Sequence, residues 1–257
     1  MSLLGPVLRR SLWAALVLVA LGGAWVWRLG RDLPDAKPLR DPAWVRQRFD
    51  LRDWTPMKSV APLALRAILI SEDDTFFHNN GLRLDEIGSA AWDDLLAGRY
   101  KRGASSITQQ VVRNAFLSTD KTLGRKVREM ILARRADASV GKRSLLEDYL
   151  NLAEWGPKKE RGIAWASQRY FGKGPDSLNA AEGAYLAWLL PDPKHRGLAA
   201  RRGELTPPAK RHVRILLQRL AREGSLSEAE AEALAAQPLK LLGALPVPPP
   251  SPRITTP

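Results

Sequence analysis

The chain has 257 residues, a formal net charge of +13 at pH 7, and no cysteine, which excludes disulfides and thiolate catalysis. Its length suits one well-buried core domain with room for a second, small lobe. Hydrophobic residues make up 45% of the chain and charged residues 26%, proportions that indicate a globular protein rather than a disordered one.

An apolar segment near the amino terminus is the first predicted element. Residues 12–27 are all apolar or glycine, with Arg9 and Arg10 before them and Arg28 after them. The run is slightly shorter than the roughly 20 residues that span a bilayer, but it has no polar face and no A-x-A-like cleavage site. The pattern favours an uncleaved transmembrane helix over residues 11–29, with 1–10 cytoplasmic, above a cleaved signal peptide or a buried soluble helix.

The rest of the chain is predicted to be a helical domain between two irregular segments. Residues 30–45 are rich in proline and mixed charge and predict a juxtamembrane linker, while the proline-rich residues 243–257 predict an extended tail. Apolar spacing across 46–242 is helical, and no run of alternating strands is convincing. The predicted helices are Pro62–Ile70, Leu84–Ala97, Ile107–Phe116, Thr122–Ala138, Ser144–Leu152, Ile163–Phe171, Asn179–Leu190 and Pro208–Glu223, with a final one opened by the capping box at Ser227 and ending before Pro238.

Three short polar blocks lie in the first part of this domain. Glu72 follows an apolar helix, where partial burial would raise the pKa of a carboxyl and suit it to act as a general base. Residues 103–110 combine small hydroxyl and amide side chains with a helix start, which is typical of anion binding. Arg125, Lys126, Arg128 and Glu129 put cations and a carboxylate within about one helical turn, which suits a diphosphate. The alternatives are a solvated acidic triplet, an ordinary N-cap and a solvated basic helix face.

Positive charge is concentrated around these blocks. Residues 99–143 contain twelve Lys or Arg against three acidic residues. A solvated face, nucleic acid and a phosphate on a lipid would each account for such a stretch. The predicted membrane segment favours the lipid phosphate, and no aromatic residues interleave the basic stretch as single-stranded nucleic acid binding would require.

Five signatures in this order resemble those of the peptidoglycan glycosyltransferases, in particular the monofunctional, membrane-anchored kind that polymerises lipid II. They extend over roughly residues 60–196. The matching residues are Glu72, Asp73, Phe76 and Gly81 for the first; Gly103, Ser105, Ser106, Ile107, Thr108, Gln109 and Gln110, followed by Arg113 and Asn114, for the second; Arg125, Lys126 and Glu129 for the third; Lys142, Leu145, Leu146, Glu147, Tyr149, Leu150 and Asn151 for the fourth; and Arg161, Gly162, Ala166, Tyr170 and Phe171 for the fifth.

The resemblance implies a lysozyme-like, all-α glycosyltransferase domain with a head and a jaw lobe. It implies inverting transfer, in which Glu72 is the general base on the attacking hydroxyl. Arg113, Arg125 and Lys126 would bind the departing diphosphate, while Glu129, as a second catalytic carboxylate, would orient these cations or hold a divalent metal, Mg2+ or Mn2+. Asp73, Phe76 and Gly81 would support the first signature, and Ser105, Thr108, Gln109 and Gln110 the second.

The same resemblance implies partners and a location. Lipid II, the growing glycan strand and the membrane would be partners, other cell-wall synthesis proteins are candidates, and neither nucleic acid nor an organic cofactor is expected. The protein would cross the bacterial inner membrane once, with its catalytic domain in the periplasm.

Two departures from the family pattern keep other functions in view. Asn79 stands where the first signature has histidine, and Arg83 stands where the family has an acid. They motivate a catalytically impaired, membrane-anchored scaffold as one alternative. A lytic murein glycosidase, which shares the fold and a single catalytic glutamate, is the other.

Overall fold

The computed structural model describes residues 4–83, 105–118, 120, 122–200 and 203–243, without the side chains of residues 4–8 and 199. Throughout these ranges the regular secondary structure is helical, and the β-type pairing is a single isolated bridge between Glu154 and Arg161. The all-α prediction is therefore confirmed. The predicted helix Leu84–Ala97, with Gly103 and almost all of the proline-rich tail, lies outside the described residues.

The described helices follow the predicted order with small shifts at their ends. The helices are α1 (Leu4–Arg31), α2 (Pro42–Arg48), α3 (Pro62–Glu72), α4 (Ile107–Phe116), α5 (Leu123–Val140), α6 (Lys142–Leu152), α7 (Ile163–Phe171), α8 (Ala180–Leu189), α9 (Pro193–Ala199), α10 (Pro207–Arg222) and α11 (Glu228–Ala236), with short 3-10 turns at Lys37–Arg40, Met57–Ser59 and Pro175–Ser177. Helices α4 and α7 have the predicted bounds, and α3 runs two residues further than predicted, so that Glu72 is its last residue.

Local side-chain caps explain most of the helix starts. Ser106, Asn179 and Ser227 each accept a hydrogen bond from the backbone amide three residues on, and the residue at that position returns one in a reciprocal capping box. Helix α9 was not predicted, because the two prolines around Asp192 indicated an end. Asp192 instead caps a short helix whose first residue is Pro193, and proline fits at the first position of a helix without strain.

The described chain divides into two compact units. The first contains residues up to Val45 together with Thr75–Tyr149, and the second contains Arg46–Asp74 together with the residues from Leu150 onward. Two lobes agree with the head-and-jaw architecture that the family resemblance implied. The division falls inside the first signature, between Asp74 and Thr75, so each part of the signature is described within its own unit.

Helices α4 and α5 form the centre of the first unit, and the end of α1 packs against α5. Leu29 and Gly30 are buried, and a side chain at Gly30 would meet Ile131 and Arg135 of α5 at 3.4 Å. The segment predicted as a linker contributes to this unit, since Leu39 and Val45 are buried. Prolines here begin short helical turns instead of keeping the chain extended.

Helix α1 is the one described helix that is long and apolar enough to cross a membrane, judged by length and composition. The suitable stretch is Arg9–Arg31, 23 residues with a mean hydropathy of 1.7, and the 18-residue window on which this assignment depends has no residue buried within the protein. At 1.5 Å per residue it would extend about 35 Å, enough for a hydrocarbon core of about 30 Å. The helix is therefore compatible with the predicted single-pass anchor.

The second unit is built around the contact between α3 and α8. A side chain at Gly183 would come within 2.4 Å of the Cα atom of Ala64, so the two helix backbones can approach this closely because both residues are small. Almost the whole of α8 is buried, which explains its apolar sequence. Asn151, from the fourth signature, accepts a hydrogen bond from the Thr55 amide (2.8 Å) and donates one to the Thr55 carbonyl (2.9 Å). The packing of α3 against α8 fixes α3, and it therefore fixes the backbone of Glu72 at the end of that helix.

Candidate active site

A buried cluster of opposite charges lies at the start of α5. Glu129 is completely inaccessible to solvent, and its two carboxylate oxygens each contact a cation. The Arg125 guanidinium approaches Oε2 to 2.5 Å, and the Lys126 ammonium approaches Oε1 to 2.5 Å. Both cations are largely buried as well, with 14% of the Arg125 side chain and 11% of the Lys126 side chain exposed. A buried carboxylate that pairs with two cations holds them in one geometry and leaves part of each cation facing outward.

The second signature supplies neutral donors and acceptors to this cluster. Gln109 of α4 donates to Glu129 Oε1 at 3.3 Å, and Lys126 donates to the Ser105 hydroxyl at 3.1 Å. Gln109 can reach α5 because it also closes the Ser106 capping box, which locks the first turn of α4. Ser106, where the family has threonine, thus performs the capping for which a hydroxyl is needed.

The turn after the first signature is tied to the same helix start. Ser106 donates its hydroxyl hydrogen to the Gly81 carbonyl at 2.5 Å. Gly81 has φ +88°, and a Cβ atom there would lie 2.7 Å from the Ala133 carbonyl oxygen of α5. Glycine is therefore required both by its backbone conformation and by the close approach of α5. This explains why the first signature ends on a glycine.

Asn79 organises the other side of this turn. Its side-chain oxygen accepts from the Gly81 amide at 3.0 Å and from the Lys142 ammonium at 2.9 Å. Lys142 in turn pairs with Asp137 at 2.6 Å and lies 4.6 Å from the centre of the Phe76 ring. The first and fourth signatures are thereby joined to the end of α5.

Thr108 extends the same network from α4. Its hydroxyl donates to the Asp137 carboxylate at 3.3 Å, so the second signature touches the residue that pairs with Lys142. Thr108 is fully buried and the Asp137 side chain is 14% exposed, so their hydrogen bond is partly shielded from competing water. The second signature thus supports the site at two places, through Gln109 at the charge cluster and through Thr108 here.

Glu72 lies in the second unit, at the carboxyl end of α3. It is half-buried, whereas Asp73, the residue that ends the helix, is 1% exposed and donates its backbone amide to the Leu69 carbonyl at 2.8 Å. A half-buried carboxylate at the end of a packed helix can reach solvent or a ligand while its backbone stays fixed. This is the placement that a general base requires.

The structure brings together five of the predicted site residues in one cluster within the first unit. The cluster consists of Ser105, Gln109, Arg125, Lys126 and Glu129. Arg113 follows Gln109 by one helical turn on α4 and is half-buried, as is Gln110, whose amide donates to the Ser106 carbonyl. The role of Arg113 at a diphosphate stays a prediction, since it rests on spacing along α4.

The carboxylate of Glu129 does not fit the role of a metal ligand in this arrangement. Its oxygens are already engaged by two cations and an amide, and a further positive ion at the same oxygens would be repelled. Within the described ranges no group of three or more His, Asp or Glu side chains could hold a metal. Mg2+ or Mn2+ stays a prediction from the resemblance, and a titration of the activity with EDTA would test it.

Comparison with known families decides the relationship. A sequence model of the family described as "Transglycosylase" matches residues 43–221, which include α3, α4, α5 and every described site residue. The chain belongs to the transglycosylase family. The match begins within α2 and ends near the end of α10, so it includes residues of both units.

Curated relatives of this transglycosylase-family chain carry a more specific name. The protein named "Biosynthetic peptidoglycan transglycosylase" from Nitrobacter winogradskyi is 39% identical over 145 residues, covering 56% of this chain and 64% of its own length. Proteins with that name from Burkholderia orbicola and Mesorhizobium japonicum are also 39% identical, over 180 and 176 residues, with 67% and 72% of their own lengths covered. The chain thus spans about two thirds of the length of these relatives.

The family comparison gives the two departures a structural context. Asn79 takes part in three side-chain hydrogen bonds, the third being donated to the Thr75 hydroxyl at 3.3 Å, so the residue that replaces the family histidine is integrated into the turn. Arg83 is buried, and His78, one position before Asn79, is exposed. Lys142 was predicted only as part of the fourth signature, and its pairing with Asp137 was not predicted from the sequence. The helix spacing from Asp137 to Lys142 crosses the α5–α6 junction, so only the fold brings them together.

Proposed function

We propose that the protein is a peptidoglycan glycosyltransferase that polymerises lipid II into glycan strands. The Glu72 carboxylate takes the proton from the 4-hydroxyl of a lipid II GlcNAc. The hydroxyl oxygen attacks the anomeric carbon of the MurNAc at the end of the growing chain, and a new glycosidic C–O bond forms with inversion. The bond from that carbon to the diphosphate breaks, and undecaprenyl diphosphate leaves with the bonding electron pair.

The buried charge cluster at the start of α5 carries this proposal. Glu129 holds Arg125 and Lys126 side by side, and the leaving diphosphate needs cations at fixed positions while its negative charge develops. Preorganised cations stabilise that charge without having to rearrange during the reaction. Lys126 supplies a compact point charge and Arg125 a planar fork, which suit the two phosphate groups in different ways. Arg113 would add a third cation from α4.

The packing of α1 on α5 supports a membrane location for this cluster. A Cβ atom at Gly124 would lie 4.0 Å from the Trp25 ring, and one at Gly30 would lie 3.4 Å from Ile131. The contact later in α1 is also the contact later in α5, so the two helices run parallel here. Trp25 lies near the end of the apolar run, where interfacial aromatic residues belong. The first turn of α5 would therefore lie at the level of the lipid headgroups, where a lipid-linked diphosphate is found.

Location and partners follow from the same proposal. The chain would be a single-pass protein of the bacterial inner membrane with its catalytic domain in the periplasm, and lipid II and the glycan strand would reach it from the bilayer. Anchoring an enzyme in the membrane that contains its substrates raises their effective concentration. The lytic glycosidase is less well supported, because the relatives carry a biosynthetic name and cleavage of a sugar polymer needs no diphosphate site.

The proposal is tested by incubating the detergent-solubilised protein with labelled lipid II and resolving the products on a gel. The wild type should make a ladder of glycan strands, and Glu72→Gln should make none while still binding lipid II. Glu230→Gln is the matched control, since this exposed glutamate closes the capping box of α11 and glutamine can do the same.

Each other outcome would overturn a defined part of the proposal. A ladder from Glu72→Gln would show that Glu72 is not the base. Release of muropeptides from finished sacculi, without polymer from lipid II, would support the lytic glycosidase. Binding of lipid II without polymer from the wild type would support the scaffold.

A further inference from the structure

Helix α10 contacts the carboxyl end of α3 through a row of polar side chains. His212 and Arg219 are seven residues apart, about two helical turns, and Glu223 follows Arg219 by one turn, so all three lie on one face of the helix. Their partners lie along α3 in the opposite order, with Ser71 near His212, Ile70 near Arg219, and Arg66 paired with Glu223. The two helices are thus connected at several points, of which those near Ile70 and Ser71 lie next to Glu72.

Arg219 bridges the two sides of Glu72. Its Nη1 donates to the Ile70 carbonyl oxygen at 3.2 Å, and its Nη2 donates to the Asp74 carboxylate at 2.9 Å. Ile70 lies two residues before Glu72 and Asp74 two residues after it. The Ile70 carbonyl belongs to the last turn of α3, where helical carbonyls lack the usual amide donor from the next turn. One guanidinium therefore caps the helix end and holds the chain that leaves it.

The bridge made by Arg219 is partly exposed to solvent, so its loss should change the position of Glu72 more than the stability of the fold. The side chains of Arg219 and Asp74 are 42% and 39% exposed, and ion pairs at such positions contribute about 0–1 kcal/mol to folding. Loss of the bridge should therefore leave the folded state almost as stable as before. It would release the backbone on both sides of Glu72, and a misplacement of about 1 Å in a reacting group can lower a rate about 100-fold.

His212 occupies the space beside this bridge. It lies 3.4 Å from the Ser71 hydroxyl and 5.4 Å from the centre of the Trp188 ring, and Arg196 stacks on Trp188. Burial, with a smaller contribution from Arg196, lowers the pKa of His212 to about 4. The ring is therefore neutral near pH 7. Arg219, by contrast, is charged, and it contacts Ile70 and Asp74, which lie two residues before and two residues after Glu72.

We propose that Arg219 is a positioning residue for Glu72, which it acts on by joining the Ile70 carbonyl to the Asp74 carboxylate. The inference rests on the proposed function, because it assigns a role relative to the base of that reaction. Arg219 lies outside all five signatures, and its role follows from the contact between α3 and α10.

Arg66 provides a matched control for this proposal. It pairs with Glu223 through two hydrogen bonds of 2.7 Å and connects the same two helices, and its side chain is similarly exposed, at 39%. It belongs to α3 itself and lies six residues, more than one helical turn, before Glu72. Arg66→Met and Arg219→Met therefore remove the same chemical group from the same helix pair, and only the second change removes the hydrogen bonds to Ile70 and Asp74.

The test combines the initial rate of lipid II polymerisation with amide hydrogen exchange. Arg219→Met should lower kcat at least tenfold with KM little changed, and exchange at residues 71–74 should become faster. Arg66→Met should keep kcat within about twofold of the wild type. The Tm values of the two variants should agree within a few degrees. Arg219→Lys should fall between, because a single ammonium cannot bridge both partners with the geometry of a guanidinium.

The pH profile adds a result that a purely structural role would not produce. The acid limb of kcat/KM reports the pKa of the free base, and removal of a nearby cation raises the pKa of a carboxyl. The acid limb should therefore move further to higher pH in Arg219→Met than in Arg66→Met.

The possible results separate this inference from the proposed function. Equal rates and equal exchange in the two methionine variants would overturn the positioning role. If the wild type makes no polymer, the proposed function fails and the catalytic part of the inference fails with it. Exchange at residues 71–74 would then still decide whether Arg219 holds the end of α3.

Discussion

Replacing Glu129 by glutamine tests whether the charge cluster is organised as the structure indicates. The substitution keeps the side-chain shape and removes the negative charge that faces Arg125 and Lys126. Removing one partner of a buried ion pair costs about 3–5 kcal/mol, because the remaining charge stays buried without compensation. The exposed 14% of Arg125 lets this residue regain some contact with water, so the lower end of the range applies.

A loss of about 3 kcal/mol corresponds to a fall in Tm of about 6–12 °C for a domain of this size. Thermal unfolding of the detergent-solubilised protein, followed by circular dichroism, measures it. Arg128→Gln is the control, because Arg128 is exposed on the same helix and its loss should change stability by less than about 0.5 kcal/mol.

A double mutant decides whether the effect comes from the pairing itself. Lys126→Met removes the buried cation that contacts Oε1, and the combination with Glu129→Gln replaces the pair by neutral groups. The double variant should be more stable than the sum of the two single losses predicts, by about 0.5–3 kcal/mol. Additive losses, or a Glu129→Gln variant that melts with the wild type, would refute the buried pairing.

Three further predictions concern the support of the site. Gly81→Ala should destabilise the protein by about 1–3 kcal/mol, seen as a lower Tm, because φ is +88° and a Cβ atom would lie 2.7 Å from the Ala133 carbonyl; an unchanged Tm would contradict the close approach. Burial raises the pKa of Asp148 to about 8 from an ordinary 3.8. Between these two pH values the folded state therefore binds more protons than the unfolded state. Wild-type stability should accordingly fall as pH rises from about 4 to about 8. Asp148→Asn should lose much of that slope in Tm against pH, and an identical slope would show that Asp148 is ionised in the folded protein. Asn151→Ala should cost about 1–3 kcal/mol in denaturant unfolding, because both backbone groups of Thr55 lose their buried partner; a normal midpoint would show that water replaces the amide.

Helices with local start and stop signals were predictable from the sequence. Helix α4 begins after the Ser106 capping box, and α7 ends at Gly172, which adopts the left-handed conformation with φ +69°. Such signals involve residues three or four positions apart, so the sequence contains them completely. Helices α2 and α9 are seven residues each and were missed, since prolines at their first turns are equally typical of an irregular chain.

The departures at the first signature illustrate what residue identity cannot decide. From the sequence, Asn79 in place of histidine suggested an altered scaffold. In the structure its amide oxygen accepts from Gly81 and Lys142, so asparagine provides two contacts that hold the turn. Lys142 lies 63 positions later, and no local pattern relates the two residues.

Sequence by itself determined the helical class, the family and the identity of the candidate base and cations. These depend on periodicity, short spacings and ordered motifs, all of which are local properties of the chain. Tertiary structure decided that Glu129 is fully buried between Arg125 and Lys126, and that Arg219 reaches both sides of Glu72. Burial and contacts between helices depend on residues that are distant in the chain, because the free energy of a charge is determined by the groups that exclude water around it.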